Sequence, residues 1–265
     1  MHSPTGQMAA RISDEILTIT ISNPGKMNAI SQTMWQELKG IMQDIPNSPS
    51  IRAVVIQGEG TDSFASGADI SEFESSRDPK HFALFDQNTE SALLSVLHTP
   101  VPTVAVIRGL CFGGGLSLAM ACDYRIADIT AQFAIPAARL GISYPGASLE
   151  RLVKAVGPEY AKILLFTAER VDANRALQMN LVQEVLPSEK VANRVEQILK
   201  RLRENAPLSI RASKAIINSI VHEIATTDVT LDLALDMSDL CISSEDYKEG
   251  VRAFLEHRAP KFKGS

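Results

Sequence analysis

The sequence contains little cysteine and no block of positive charge, and each absence argues against a class of protein. Cys111, Cys122 and Cys241 are an odd number with no CxxC spacing, so neither a disulfide framework nor a zinc site is indicated. This cysteine usage favours a reducing compartment. No run of five basic residues occurs and the net charge is -5, which argues against a nucleic-acid partner.

The amino terminus and the hydropathy pattern argue against export and against a membrane partner. The first residues, MHSPTGQMAARISDE, lack the basic and then apolar order of a signal peptide. No apolar stretch is long enough to span a bilayer. We therefore expect a cytoplasmic globular protein.

The sequence does contain the composition of a packed core. Apolar residues make up 45% of the 265 positions, which is ordinary for a globular chain. After Pro207 the pattern is helical, with little sign of strands. We therefore divide the chain into a flexible amino terminus at 1–10, a mixed core at 11–205 and a helical subdomain at 206–265.

Two segments of the core repeat one plan. In residues 51–73 and again in 101–123, an apolar run typical of a buried strand ends in glycine and leads through a loop into a helix. Further strands are predicted at 16–22, 123–127 and 181–186. Strands that alternate with helices in this way predict an α/β fold with parallel strand pairing.

The second of these segments contains the stretch CFGGGLSLAMACD, in which three glycines run directly into an apolar helix. The first N–H groups of a helix have no partner within it, and glycine lets a ligand approach them closely. Gly113–Gly115 and the similar turn at Gly67–Asp69 could together form an oxyanion hole. The alternative is that the glycines only permit close helix packing. The patterns GxxxxGK[ST] and GxSxG are absent, so a phosphate loop or a hydrolase elbow is not indicated.

Six stretches of the sequence, taken together, carry a family resemblance. They are NPGKMNAIS, FASGADISEF, PTVAVIRGLCFGGGLSLAMACDYRIA, AQFAIPAARLGISYPGASLERLVKAVG, FTAERVDANRALQMNLVQEVLP and SSEDYKEGVRAFLEHRAPKFKG, spread over about residues 12 to 263. They resemble the enoyl-CoA hydratase/isomerase family, also called the crotonase family. The resemblance implies a crotonase-like spiral of ββα units whose helical subdomain forms homotrimers or dimers of trimers. It also implies an acyl-CoA substrate, with no metal and no cofactor beyond the CoA moiety.

The resemblance also assigns roles to particular positions. The thioester oxygen would lie between the backbone N–H groups of Ala68 and Gly114, the two turns that the glycine pattern indicates. The other residues that the resemblance implies would surround the CoA moiety: Lys26, Ala29, Ala65, Ser66, Asp69, Ile70, Phe262 and Lys263. Phe262 and Lys263 would close over the adenine.

The acidic residues that the family uses for catalysis are missing from this chain. Its hydratases add water with two glutamates, at positions that Ser117 and Ala137 occupy here, and a third acid position of the family is Pro145. Hydration needs a base for the water and an acid for the α-carbon, each worth about 10²–10⁴ in rate. We therefore expect efficient hydration to be lost.

Tyr144, in the stretch GISYPG, is the strongest remaining candidate for a catalytic side chain. The methylmalonyl-CoA decarboxylases of the family carry a tyrosine at the matching place, although they have histidine where Ala68 stands. Tyr144 could equally be a packed aromatic residue whose hydroxyl is satisfied. Three hypotheses stay open: a lyase or isomerase of enoyl-CoA, a decarboxylase that uses Tyr144, and a non-catalytic acyl-CoA-binding subunit.

Overall fold

The computed structural model describes residues 6–74, 79–222 and 227–265. The strands are β1 (Gln7–Ser13), β2 (Ile16–Ser22), β3 (Ala53–Gly58), β4 (Ser63–Ala65), β5 (Thr103–Ile107), β6 (Leu110–Phe112), β7 (Tyr124–Asp128), β8 (Gln132–Ala134), β9 (Val171–Asp172) and β10 (Glu184–Leu186). The helices are α1 (Gln32–Gln43), α2 (Ser71–Glu74), α3 (Pro79–Leu97), α4 (Gly114–Ala121), α5 (Ala137–Leu140), α6 (Gly146–Thr167), α7 (Ala173–Gln178), α8 (Ser188–Glu204), α9 (Pro207–His222), α10 (Thr227–Ile242) and α11 (Glu245–Leu255).

The larger sheet has the strand order β1-β2-β3-β5-β7-β10. All its neighbours pair in parallel except β1, which lies antiparallel to β2. The predicted parallel α/β core is therefore confirmed, and the predicted strand at 16–22 is β2. Strand β1 begins at Gln7, inside the segment 1–10 that we expected to be flexible, and residues 1–5 lie outside the described residues. Gln7 pairs with Ser22, which orders the chain at that point.

A smaller second sheet, with the order β4-β6-β8-β9, gives the core its ββα repeat. Each of β3, β5 and β7 runs into a short strand of this sheet, and the strands β4, β6 and β8 pair in parallel. Because the short strands are neighbours, the loops that follow them lie side by side. The turn at Gly67–Asp69 therefore faces the glycines at Gly113–Gly115.

Helix α4 is the centre of the core, since every residue of Gly115–Ala121 is buried. A helix that is apolar all round is typical of a fully buried element. Gly115 lies so close to β4 that a Cβ there would be 2.4 Å from the carbonyl oxygen of Ala65. The glycine therefore allows the start of α4 to pack directly on the backbone of β4.

The carboxyl-terminal part of the chain is helical, as the sequence predicts. Helix α9 is joined to the core through Lys214, whose Nζ donates to Asp123 Oδ2 at 2.7 Å and to the carbonyl of Val101 at 2.9 Å. In the described ranges, none of the helices combines the length and the apolar character that a membrane span requires.

The contact between α4 and β4 leads to a first prediction. Gly115→Ala should lower the free energy of unfolding by about 1–3 kcal/mol or more, because the new methyl group meets backbone atoms that cannot move aside cheaply. Gly40→Ala in α1 is the matched control. It has open space around the Cβ position and should raise stability by about 0.5–1 kcal/mol. Urea unfolding of both variants measures the difference, and equal stability of the two would contradict the packing argument.

Candidate active site

Two backbone N–H groups, of Ala68 and Gly114, meet where the loops after β4 and β6 come together. A Cβ on Gly114 would lie 3.6 Å from the amide nitrogen of Ala68, and one on Gly67 would lie 3.9 Å from the amide nitrogen of Gly114. Among the described residues neither amide donates a hydrogen bond to another part of the chain. The geometry is therefore that of two free donors side by side, the arrangement of an oxyanion hole.

The backbone around Ala68 fixes the direction of its amide. Ile30 N–H donates to the carbonyl of Gly67 at 2.8 Å, and Asp69 N–H donates to the carbonyl of Ile30 at 3.0 Å. Both neighbours of Ala68 therefore bond to Ile30. In extended backbone the N–H of Ala68 then points to the side away from Ile30. That side carries Gly114.

The start of α4 is fixed in a similar way, and it requires glycine. Gly113 has φ +47° and Gly67 has φ +118°, conformations that residues with a side chain rarely adopt. Gly113 N–H donates to the carbonyl of Ala134 at 2.9 Å, and the carbonyl of Gly113 accepts the first helical bond, from Ser117 N–H. The amide of Gly114 is left as one of the unpaired donors at the helix N-terminus, where the helix dipole adds partial positive charge.

Ser117 and Tyr144, which the sequence analysis singled out separately, form a hydrogen-bonded pair. Ser117 Oγ lies 2.5 Å from the Tyr144 hydroxyl oxygen, and either group can be the donor. The Tyr144 hydroxyl is also 3.4 Å from the carbonyl of Gly113. The residue at the first missing acid position is thus in direct contact with the candidate tyrosine, one helical turn from Gly114.

The surroundings of Tyr144 keep its hydroxyl protonated. Burial raises the pKa of Tyr144 to about 12, although the hydrogen bond with Ser117 and the charge of Arg151 oppose the shift. The phenol is therefore neutral near pH 7 and can donate a proton or a hydrogen bond, whereas it is a poor base.

The other two missing acid positions lie at the starts of neighbouring helices. Ala137 is buried at the start of α5, and Pro145 precedes the first turn of α6. The acid whose charge acts on Tyr144 is Glu90 of α3, and Arg151 binds it through two hydrogen bonds of 2.9 Å. No sequence motif indicates this pair, because its two members are 61 residues apart.

The residues expected to bind the CoA moiety form a cluster beside the two free amides, except for the last two. Lys26 Nζ donates to Asp69 Oδ2 at 2.7 Å and to Ser71 Oγ at 2.9 Å. Ser66 Oγ donates to the carbonyl of Lys26, and so does the N–H of Ala29. Ala65 is buried at the end of β4, and the exposed side chain of Ile70 lies on the rim.

Asp69 is an anion in this cluster. Burial raises the pKa of its carboxyl group, but the hydrogen bonds from Lys26 and Ser71 and the charge of Lys26 outweigh it and hold the pKa below its usual range. Lys26 is therefore already paired within the chain, and a phosphate group of CoA would have to share it with Asp69.

Phe262 and Lys263 do not join this cluster within one chain. The carbonyl of Phe262 accepts from Arg52, which stands before β3, and Lys263 N–H donates to Asp246. Phe262 also lines a groove of about 790 Å³ between α6 and α9, which none of the other expected site residues lines. Arg52 lies just before the start of β3, whereas Ala65 lies beyond the carboxyl end of that strand. Phe262, which bonds to Arg52, and the neighbouring Lys263 therefore lie towards the opposite edge of the sheet from Ala65.

The raised pKa of Tyr144 can be tested directly. Between pH 7 and pH 10 the absorbance of phenolate at 295 nm should increase equally in the wild type and in Tyr144→Phe, because this phenol stays protonated while exposed tyrosines begin to ionise. A larger increase in the wild type below pH 10 would contradict the burial of the hydroxyl. The neutral phenol of Tyr144 contributes fully to the stability of the folded protein below about pH 10, and this contribution is lost as the pH rises towards 12.

Comparison with known proteins places this site in a family. The model of the family "Enoyl-CoA hydratase/isomerase" matches residues 11–265. The "Crotonyl-CoA hydratase" of Syntrophomonas wolfei is 33% identical over 251 residues, which cover 94% of this chain and 95% of the relative. The "Short-chain-enoyl-CoA hydratase" of Clostridium acetobutylicum is 32% identical and covers 92% of each chain. A crystal structure from Magnetospirillum magneticum, described as an enoyl-CoA hydratase/carnithine racemase, superposes with a TM-score of 0.91 at 30% identity, over 97% of this chain and 96% of that one. The protein therefore belongs to the enoyl-CoA hydratase/isomerase family and has the crotonase fold.

Proposed function

We propose that this enzyme stabilises the enolate of an acyl-CoA thioester between the N–H groups of Ala68 and Gly114, and that hydroxyl groups replace carboxylates as its proton carriers. The observation that carries the proposal is the 2.5 Å contact between Ser117 and Tyr144 next to the two free amides. Donors that are already in place for the developing oxyanion are commonly the largest single contribution to catalysis.

The neutral hydroxyl pair supports proton donation to carbon and does not support hydration. Hydration requires a base that takes a proton from water, and neither Ser117 nor a phenol with a pKa of about 12 serves as one near neutral pH. Relatives bear the names of hydratases for crotonyl-CoA and short-chain enoyl-CoA, which supports a short acyl thioester as the substrate class. We propose that this chain hydrates such substrates slowly.

A second candidate reaction is the decarboxylation of a malonyl-type CoA. The bond between the α-carbon and the carboxylate breaks, carbon dioxide leaves, and the electron pair forms the enolate held by Ala68 and Gly114. The Tyr144 hydroxyl then gives its proton to the α-carbon and is reprotonated through Ser117. The absence of carboxylates at Ser117, Ala137 and Pro145 favours this reaction, because a glutamate there would repel the substrate's own carboxylate.

We also propose how the protein assembles, which cofactors it needs and where it is located. Helices α9 and α11 expose the large apolar side chains of Ile217, Ile220, Phe254 and Leu255, which supports burial in a homotrimer or a dimer of trimers. We propose that the reaction uses no metal and no cofactor beyond the CoA of the substrate. The free cysteines support a cytoplasmic location.

The reaction can be identified in one experiment. The purified protein is incubated with crotonyl-CoA and methylmalonyl-CoA together, and the products are followed by mass spectrometry. We expect loss of carbon dioxide from methylmalonyl-CoA to exceed gain of water by crotonyl-CoA. Fast gain of water would contradict the argument from the missing glutamates. If neither mass changes while butyryl-CoA binds, the chain is an acyl-CoA-binding subunit without this chemistry.

The role of Tyr144 is tested on whichever reaction is found. Tyr144→Phe should lower kcat by about 10²–10⁴ without changing the affinity for butyryl-CoA, because it removes a proton donor and keeps the ring. Tyr160→Phe is the matched control, since Tyr160 lies in α6 with its ring against Arg175. Equal rates in the two variants would remove Tyr144 from the mechanism.

The assembly is tested by light scattering after size-exclusion chromatography. We expect three or six times the chain mass of 28.8 kDa. Replacing Phe254, which is 80% exposed, with Asp should shift the protein to smaller species, because a charge would be buried in the interface. A wild-type protein that elutes as a monomer at micromolar concentration would contradict the trimer.

A further inference from the structure

Two arginine side chains, of Arg52 and Arg211, face one small cavity on the opposite edge of the sheet from the active site. The cavity has a volume of about 10 Å³ and lies where the start of β3 meets the start of α9. Its lining is otherwise apolar: Ile51, Val101, Pro102, Leu202, Pro207 and Ile210. A space of this size holds no more than one water molecule or one monatomic ion.

Both guanidinium groups have a buried N–H without a partner. Arg52 is 8% exposed, and its Nη1 is buried without a hydrogen bond, as is Nε of Arg211. The other nitrogens of Arg52 are used, since Nη2 donates to the carbonyl of Phe262 at 3.0 Å and Nε lies 3.6 Å from Glu15 Oε1. A buried donor that lacks a partner is destabilising, so these two N–H groups indicate a ligand.

In the described part of the chain, only one of these two arginine charges has an ion-pair partner. Arg52 has Glu15 as its partner, whereas Arg211 forms no ion pair there. Burial and the charge of Arg52 lower the pKa of Arg211 from its usual value. The first turn of α9, which begins at Pro207 beside the cavity, adds the partial positive charge of a helix N-terminus. Two like charges and a helix dipole thus converge on one small space.

We propose that a chloride ion, or another small monovalent anion, binds between Arg52 and Arg211 and fastens α9 to the start of β3. A water molecule would satisfy the free N–H groups but would bring no negative charge to Arg211. Sulfate and phosphate are too large for the cavity. The site lies at the opposite edge of the sheet from Ala68 and Gly114, and its role is to hold the helical subdomain on the core.

The stability of the protein should therefore depend on the kind of anion. At constant ionic strength, gluconate is replaced with chloride at a concentration of about ten times the Kd for chloride. This change should raise Tm by about 3 °C or more. Arg211→Met should abolish this difference between the two salts. The matched control is Arg201→Met, which removes an exposed arginine of α8 and should keep the full chloride response.

Bromide provides a second measurement that does not depend on a variant. Crystals of the wild type soaked in sodium bromide should show an anomalous peak between Arg52 and Arg211. The same Tm in chloride and gluconate would overturn the proposal, as would a carboxylate of a neighbouring subunit in this position. A bromide peak without any effect of chloride on Tm would mean an adventitious ion only, and would equally overturn the structural role.

Discussion

The close approach of α4 to β4 is the constraint on which the rest of the site depends. Because Gly115 has no Cβ, the start of α4 rests against the carbonyl of Ala65, and the amide of Gly114 comes to lie beside the amide of Ala68. The same packing buries α4 on all sides, so its first turn cannot shift without disturbing the core. The two free donors are therefore held in place before any substrate arrives, which is the condition for electrostatic stabilisation of an enolate.

The chemistry beside these donors differs from that of a site with two glutamates. The short contact between Ser117 and Tyr144 provides two neutral hydroxyl groups, and Arg151 holds Glu90 in a bidentate ion pair. Burial keeps the phenol uncharged, so near neutral pH its hydroxyl can donate a hydrogen bond and does not act as a base. The family membership thus defines the fold and the thioester class, while the choice of reaction depends on these side chains.

The amino-acid pattern predicted the long elements well and the short ones poorly. The alternating run ILTITIS is strand β2, and helix α9 lies in the part after Pro207 where the pattern is helical. The pattern missed β1, and it missed β4, β6, β8 and β9, which have only two or three residues each. Strands of that length are too short to show a period of two, and pairing with neighbours alone makes them strands. The sequence pattern therefore did not predict the smaller sheet, which brings the two glycine turns together.

The site shows the same division between local and distant information. Local sequence determined the unpaired amide at Gly114, since a glycine-rich helix start leaves free donors whatever surrounds it. The resemblance of the motifs identified Ala68, Ser117 and Tyr144 one by one. Only the tertiary structure decided that the hydroxyls of Ser117 and Tyr144 touch, that Arg151 pairs with Glu90, and that Arg52 meets Arg211. Those contacts join residues 27, 61 and 159 positions apart, and no periodicity or motif carries information over such distances.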